Sequence, residues 1–314
     1  MAYFVAVTDS PSGDDLSIER SVLGGMRVEK ISWNDRASLA RALREADAIL
    51  CMHAPLDEHV IGSLSHCKII ARFGTGLDNI NRDAAQAANI HVTGVADYCT
   101  EEVANHTMAL LLAWNRKILH CHGFVLEKRW NERSLTTGNW GCAPIRRLST
   151  QTLGLLGFGR IGRAVAQRAL AFGMTVLANT RHPERAQLEG TGVALISREE
   201  LWSRSDCVSL HVPLTEETRH VINAETIGMM KPGTVLINTS RGGLVDEDAL
   251  VTALRAGRLA GALLDVFKSA PLPVDHPLRQ LKNVILTPHV AFYSEDALLD
   301  LRRLAAEAVR AYLT

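Results

Sequence analysis

The stretch Gly157-Phe158-Gly159-Arg160-Ile161-Gly162 has the spacing GxGxxG. The apolar run TLGLL at 152–156 precedes it and a helical pattern over 160–171 follows. In that setting the first glycine makes a tight turn. The second lets main chain approach a pyrophosphate, and the third lets helix and strand pack closely. The start of the helix adds free N–H groups and partial positive charge for phosphate oxygens. A bare GxGxxG is a weak signal that also fits a simple connecting turn; the flanking strand and helix make it a dinucleotide site, with Gly157, Gly159, Arg160, Ile161 and Gly162 as its contacts.

The end of the next strand bears on which dinucleotide. An NAD site places an acid there, about 20 residues past the glycines, on the ribose 2′-hydroxyl. This chain reads Asn179-Thr180-Arg181-His182-Pro183 and has no acid. A guanidinium matches a 2′-phosphate with paired hydrogen bonds. NADP(H) is therefore the expected cofactor, bound by Asn179, Thr180 and Arg181. An Arg181 turned to solvent leaves NAD(H) possible.

Three more stretches carry chemistry-bearing residues: Arg72-Phe73-Gly74-Thr75-Gly76-Leu77-Asp78-Asn79-Ile80, then Ile237-Asn238-Thr239-Ser240-Arg241 continuing to Asp246, then Leu286-Thr287-Pro288-His289. With the glycine loop, in this order, they resemble the D-isomer-specific 2-hydroxyacid dehydrogenases from about residue 47 to the C-terminus. Within that superfamily, Asp97-Tyr98-Cys99-Thr100-Glu101-Glu102-Val103 and the run from His289 to Glu295 look like the C-terminal-binding-protein branch. The 179–183 segment looks like the cofactor loop of NADPH-dependent glyoxylate/hydroxypyruvate reductases.

The resemblance implies a definite chemistry. Reducing a 2-oxo acid needs a hydride at the ketone carbon and a proton at its oxygen. Arg241 would pair with the substrate carboxylate and polarise the carbonyl. Main-chain N–H groups of Gly74, Thr75, Gly76 and Leu77 would hold the carboxylate from the other side. His289 would be the acid in reduction and the base in oxidation, a role that suits an imidazole near neutrality. The resemblance also places Asp265 near the nicotinamide carboxamide and brings His211, Pro213, Thr218, Thr239 and Ser240 to the cofactor. It implies a homodimer formed through the long helix and the arm at about 100–150.

One position departs from the family. The family usually has a glutamate immediately before a proline in a stretch like LDVFxxEPLP, where it keeps the catalytic histidine protonated. Here that position is Ala270, followed by Pro271. The enzyme works without it at more acid pH, or another carboxylate such as Asp275 substitutes, or the chain binds cofactor and turns over slowly. The last case suits a catalytically weak, dinucleotide-sensing regulatory protein similar to the C-terminal-binding proteins.

The elements that must position these residues are legible from period and punctuation. Short β-rich runs alternate with helical patterns, the mark of parallel α/β architecture. Strands are expected at 4–7, 27–31, 48–51, 68–71 and 90–92, then at 152–156, 175–178, 207–211, 234–238, 262–264 and 284–286. A long helix is expected at about 100–119, with Val103, Thr107, Leu110, Leu111, Trp114 and Ile118 on one face. An irregular segment, about 128–150, holds Trp130, Gly138, Trp140, Gly141 and Pro144. A last amphipathic helix is expected over 294–313. The expected fold is α/β with two doubly wound, Rossmann-like domains. A flavodoxin-like substrate domain takes residues 1–98 plus 289–314; a larger dinucleotide-binding domain takes 99–288, and the active site falls between them.

Composition agrees. The 314 residues suit about two domains, and 47% hydrophobic with 22% charged residues is ordinary globular usage. A net charge of zero argues against a protein that grips nucleic acid through phosphates. The N-terminus reads as a strand rather than a signal peptide, and no apolar run is long enough to span a bilayer. Six scattered cysteines without CxxC fit free thiols in a reducing cytoplasm. His120-Cys121-His122 is metal-like in composition only, because neighbouring helix positions do not share a face. No metal is expected there.

Overall fold

The computed structural model describes residues 2–11, 13–137, 145–185 and 190–314. They form two compact units, Met1–Cys99 with Tyr293–Thr314, and Thr100–Phe292.

In the first unit, β1 (Phe4–Val7), β2 (Arg27–Lys30), β3 (Ala48–Cys51), β4 (Ile69–Arg72) and β5 (His91–Gly94) form one parallel sheet in the order β2-β1-β3-β4-β5. This is the flavodoxin-like order, with its switch point between β1 and β3. Successive side chains of a strand point to opposite faces. Val5, Val7, Ala48, Leu50, Ile69 and Ala71 accordingly meet Leu16, Leu23, Leu301 and Ala305 on one face. Ala6, Ile49, Cys51 and Ile70 meet Leu39, Leu43, Val60 and Ile61 on the other. The C-terminal helix Glu295–Leu313 returns to this sheet and is fixed by charge as well as packing. Arg302 reaches both carboxylate oxygens of Glu19, at 2.8 and 2.7 Å, with both side chains almost sealed from solvent.

In the second unit, β6 (Thr152–Leu156), β7 (Thr175–Asn179), β8 (Ala194–Leu195), β9 (Cys207–Leu210), β10 (Thr234–Asn238), β11 (Leu259–Leu264) and β12 (Val284–Leu286) form a seven-stranded parallel sheet in the order β12-β11-β10-β9-β6-β7-β8. This is the Rossmann order, and the reversal lies between β6 and β9. Leu153, Leu155, Val176 and Ile237 face helices Thr100–Asn115 and Arg160–Ala171. Leu156, Leu210, Leu236 and Leu264 face Trp202, Leu250 and Leu254 on the other side.

Two expectations need correction. The long helix does not run to 119. It ends at Asn115, and a second helix covers Ile118–Leu126. Between them Lys117 takes a left-handed φ of 55°, which stops an L-residue helix. Its ammonium lies 3.8 Å from the centre of the Trp114 ring. The segment at 128–150 is not wholly irregular. Asn131 accepts the Ser134 N–H and Ser134 Oγ returns to the Asn131 N–H, a capping box that starts helix Glu132–Thr136. Gly138, Trp140, Gly141 and Pro144 lie outside the described residues.

Candidate active site

The turn after β6 is dictated by contact distances. Gly157 has φ +99°, and a Cβ there would lie 2.3 Å from the His211 carbonyl oxygen. A Cβ on Gly162 would lie 2.4 Å from the Gly157 carbonyl oxygen. Both glycines are required by the protein's own packing. Gly159 is different: a Cβ there would meet nothing within 4 Å. It is the N-cap of the twelve-residue helix Arg160–Ala171 and offers no side chain to the first N–H groups. Arg160 is exposed and Ile161 half-buried beside it. Open space over a helix start that no capping side chain covers fits a dinucleotide pyrophosphate.

Around this cradle the other expected contacts fall on the same end of the sheet. Asn179 donates from Nδ2 to the Ile196 carbonyl at 2.9 Å, and its own carbonyl accepts the Gly157 N–H at 2.9 Å. Arg181 Nη1 donates to Glu217 at 2.8 Å. His211 follows β9, with Nε2 2.9 Å from Ser209 Oγ. Its Nδ1 is sealed and has no hydrogen-bond partner among the described residues, although part of the side chain reaches solvent. Burial pushes this imidazole down to about 4, so the ring is neutral in ordinary buffers. Thr218 Oγ1 donates to the Pro213 carbonyl at 2.7 Å and accepts the Thr215 N–H at 2.8 Å, closing the turn beyond His211.

Arg241 follows β10 and is held through its main chain. Asn238, almost fully buried, donates from Nδ2 to the Arg241 carbonyl at 2.9 Å and accepts the Ser240 N–H at 3.0 Å. Ser240 Oγ donates to the Leu210 carbonyl at 2.6 Å, and Thr239 Oγ1 lies 3.1 Å from Thr107 Oγ1. The Arg241 guanidinium donates to the Ser240 carbonyl at 2.7 Å.

His289 sits on the turn after β12, exposed, with a left-handed φ of 56°. Asp265, fully buried at the end of β11, organises this turn. Its carboxylate accepts the Thr287 hydroxyl at 2.6 Å and the N–H groups of Val290 and Ala291 at 3.0 and 2.9 Å. Its carbonyl accepts the His289 N–H at 2.9 Å. The Asp265 carboxylate thus faces the histidine turn. The His289 ring is 6.0 Å from that of Phe292, edge to face.

In the first unit the 74–77 loop is braced from below. Arg72 Nε donates to the Met52 carbonyl at 3.0 Å and to Asn79 Oδ1 at 2.9 Å; Asn79 Nδ2 donates to the Ala54 carbonyl at 2.8 Å. Thr75 Oγ1 donates to the Val95 carbonyl at 2.9 Å. The Gly74 N–H, expected among the carboxylate donors, instead donates to the Arg72 carbonyl at 2.9 Å; the N–H groups of Thr75, Gly76 and Leu77 reach no main-chain carbonyl among the described residues and are donors suited to a carboxylate.

Residues 108–291 match the family model of the D-isomer specific 2-hydroxyacid dehydrogenase NAD binding domain. The chain belongs to the D-isomer-specific 2-hydroxyacid dehydrogenase family. It is 38% identical over 292 residues to a glyoxylate reductase of Thermococcus litoralis, covering 89% of this chain and 86% of that protein. Its fold matches a NADPH-dependent glyoxylate/hydroxypyruvate reductase of Sinorhizobium meliloti, solved with NADP and malonate, at TM-score 0.86 and 30% identity over 100% and 94% of the two chains. It equally matches a D-lactate dehydrogenase of Aquifex aeolicus solved with NAD and lactic acid, at TM-score 0.86 and 32% identity over 98% and 95%. As a 2-hydroxyacid dehydrogenase the chain is an NAD(P)-linked oxidoreductase of 2-oxo and 2-hydroxy acids.

For a 2-hydroxyacid dehydrogenase, the segment carrying Ala270 has an unexpected tether. Ala270 is exposed. Glu247, at the start of helix Glu247–Arg255, accepts the Lys268 N–H at 2.6 Å and lies 3.2 Å from His276 Nε2. Asp275, the carboxylate considered as a substitute, is exposed. Sequence reasoning missed Glu247 and His276, and also His106, whose Nε2 lies 3.1 Å from Thr287 Oγ1 and 3.7 Å from Asp265 Oδ1. The place of His106 beside the His289 turn has no signal in the sequence, since its partners are far apart in the chain.

Proposed function

We propose that this chain is an NADP(H)-preferring reductase of small 2-oxo acids, of the glyoxylate/hydroxypyruvate type. The observation that carries this reading is the end of β7, where Asn179 stands in place of the acid that reads an unphosphorylated ribose and Arg181 follows two residues on. Glyoxylate reductases among the relatives support the substrate class.

The bound nicotinamide would supply the hydride. The chain's own residues do the rest. The helix start at Gly159–Arg160 holds phosphate oxygens, and Asn179, Thr180 and Arg181 read the ribose end. Arg241 supplies a fixed guanidinium for the substrate carboxylate and ketone oxygen. The N–H groups of Thr75, Gly76 and Leu77 supply further carboxylate donors. His289 Nε2 or Nδ1 gives its proton to the ketone oxygen in reduction and recovers one in oxidation. Asp265 keeps the turn of His289 fixed, so the imidazole need not be ordered during the reaction.

The test follows absorbance of NADPH, with NADH in parallel, against glyoxylate, hydroxypyruvate, pyruvate and phenylpyruvate from acid to neutral pH. NADPH-dependent turnover that exceeds the NADH rate supports the reading; a faster NADH rate overturns its cofactor half and leaves the family chemistry intact.

Ala270 favours a second reading. Without the family's usual glutamate, the chain would bind dinucleotide and act as a slow, cofactor-sensing regulatory protein. Tight NADPH binding with negligible turnover on every acid would support it. In either reading we place the chain in the cytoplasm as a homodimer. Exposed Ile118, Leu119, Val125, Leu126 and Trp130 on and after helix Ile118–Leu126 offer an apolar face for a second copy. No helix among the described residues is long and apolar enough to cross a membrane.

A further inference from the structure

Two basic side chains just past β7 face carboxylates. Arg181 Nη1 donates to Glu217 Oε2 at 2.8 Å, and His182 Nδ1 lies 3.2 Å from Glu184 Oε1. A carboxylate thus already occupies the guanidinium that would receive a ribose 2′-phosphate.

Glu217 does not arise from the segment that sequence inspection searches for a ribose-reading acid. It comes from the turn after β9, 36 residues beyond Arg181. The flanking threonines fix that turn: Thr218 is buried, and Thr215 and Thr218 exchange hydrogen bonds across it at 2.8, 3.1 and 3.3 Å. The main chain of Glu217 is therefore set, and its carboxylate is presented to the guanidinium.

We propose that Glu217 is a specificity-determining residue for the cofactor: it competes with a ribose 2′-phosphate for Arg181 and so sets how far the chain favours NADPH over NADH. This deepens the NADP(H) reading above and rests on it. A guanidinium fork receives a carboxylate or a phosphate with the same paired geometry. The Arg181–Glu217 pair is about half exposed on both sides, so it is weak enough to open. A phosphate monoester carries more charge than a carboxylate and displaces it. The displaced carboxylate stays on a fixed turn close to the phosphate, and like charges oppose each other there. With NADH the pair remains closed and Arg181 is neutralised beside an uncharged hydroxyl. The expected result is a moderate preference for NADPH, not an exclusive one.

The experiment measures Kd for NADPH and NADH on the full chain by fluorescence titration, without turnover. Adenosine 2′,5′-bisphosphate and 5′-AMP, titrated by calorimetry, isolate the ribose end. The variants are Glu217→Gln, Arg181→Ala and the double substitution. Glu217→Gln is expected to tighten NADPH relative to NADH by roughly 3- to 5-fold, the range of an exposed ion pair, and to do the same for the bisphosphate relative to 5′-AMP. In the Arg181→Ala background the same substitution should shift the ratio less, because only the like-charge opposition between residue 217 and the 2′-phosphate is left to remove. If Arg181→Ala weakens NADPH selectively but Glu217→Gln leaves the ratio unchanged, the inference fails and the cofactor reading survives. If Arg181→Ala leaves the ratio unchanged, the cofactor reading fails and the inference falls with it.

Discussion

Asp265 holds His289 by two routes: its main-chain carbonyl accepts the His289 N–H at 2.9 Å, and its buried carboxylate accepts the next two N–H groups, of Val290 and Ala291. The imidazole is exposed, yet its backbone is tied to the core of the sheet. Asp265→Ala leaves those N–H groups and the Thr287 hydroxyl without their acceptor. We expect kcat to fall by about 10²-fold, equivalent to about 2.7 kcal/mol of barrier, with Kd for the dinucleotide changing much less. Asp265→Asn, which keeps a carbonyl acceptor, should recover part of the loss. Equal losses in kcat and in dinucleotide binding would point instead to a direct cofactor contact by Asp265.

Restoring the carboxylate that the family usually carries tests Ala270. A negative charge near an imidazole favours its protonated form and raises its pKa. In Ala270→Glu, reduction should therefore persist to higher pH, with the falling limb of the pH–rate profile moved upward. A profile identical to that of the parent chain would show that residue 270 does not address His289.

The glycine loop separates binding from folding. Gly159→Ala places a methyl where nothing lies within 4 Å and where φ is not left-handed. It should cost no more than about 1 kcal/mol of stability but weaken dinucleotide binding by about tenfold or more, because the pyrophosphate needs that space. Gly162→Ala drives a methyl to 2.4 Å from the Gly157 carbonyl oxygen. It should lower the Tm of the protein before any dinucleotide is added. The two are distinguished by thermal melts beside a fluorescence titration.

His211 makes stability depend on pH. Its folded-state pKa is pushed below the ordinary histidine value, to about 4. Between those two values the unfolded chain binds the proton and the folded chain does not, so stability rises with pH. The contribution is complete above about 6.5 and is lost as pH falls toward 4. It amounts to at most roughly 3 kcal/mol, and less where solvent reaches the ring. Urea unfolding at several pH values should show this loss in the parent chain and a shallower one in His211→Asn.

The Arg302–Glu19 pair should behave as a buried ion pair. Its side chains are 4% and 0% exposed. Glu19→Ala leaves Arg302 with only the Asp15 carboxylate, at 3.2 Å, and the Asp15 carbonyl, at 2.6 Å, so it should destabilise the first unit by up to about 3–5 kcal/mol in urea unfolding. The exposed Arg303–Glu307 pair, one position away, gives the control: Glu307→Ala should cost less than about 1 kcal/mol.

The sequence alone carried the parts of this protein that depend on spacing along one strand or one turn. Short, nearly continuous apolar runs marked strands β1, β3, β6 and β10, as strands buried on both faces read, and the GxGxxG marked the turn after β6, because a turn's conformation is a local property of its glycines. Arg241 and His289 were legible through the motifs that resemble the family, each lying just after a recognisable strand. Residue types lacking a local partner were not legible. Lys117 broke a helix whose apolar spacing continued through it, because a lysine gives no warning of a left-handed φ. That the Asp265 carboxylate also holds the His289 turn was not legible, because the adjacency of β11 and β12 brings that turn to it. Glu217 met Arg181 because β6, between β7 and β9 in the sheet, brings the turns after those strands together. Arg302 met Glu19 across 283 residues because the last helix returns to the first sheet. A carboxylate's role is set by which donor stands within 3 Å of it, and strand order, not sequence distance, decides that.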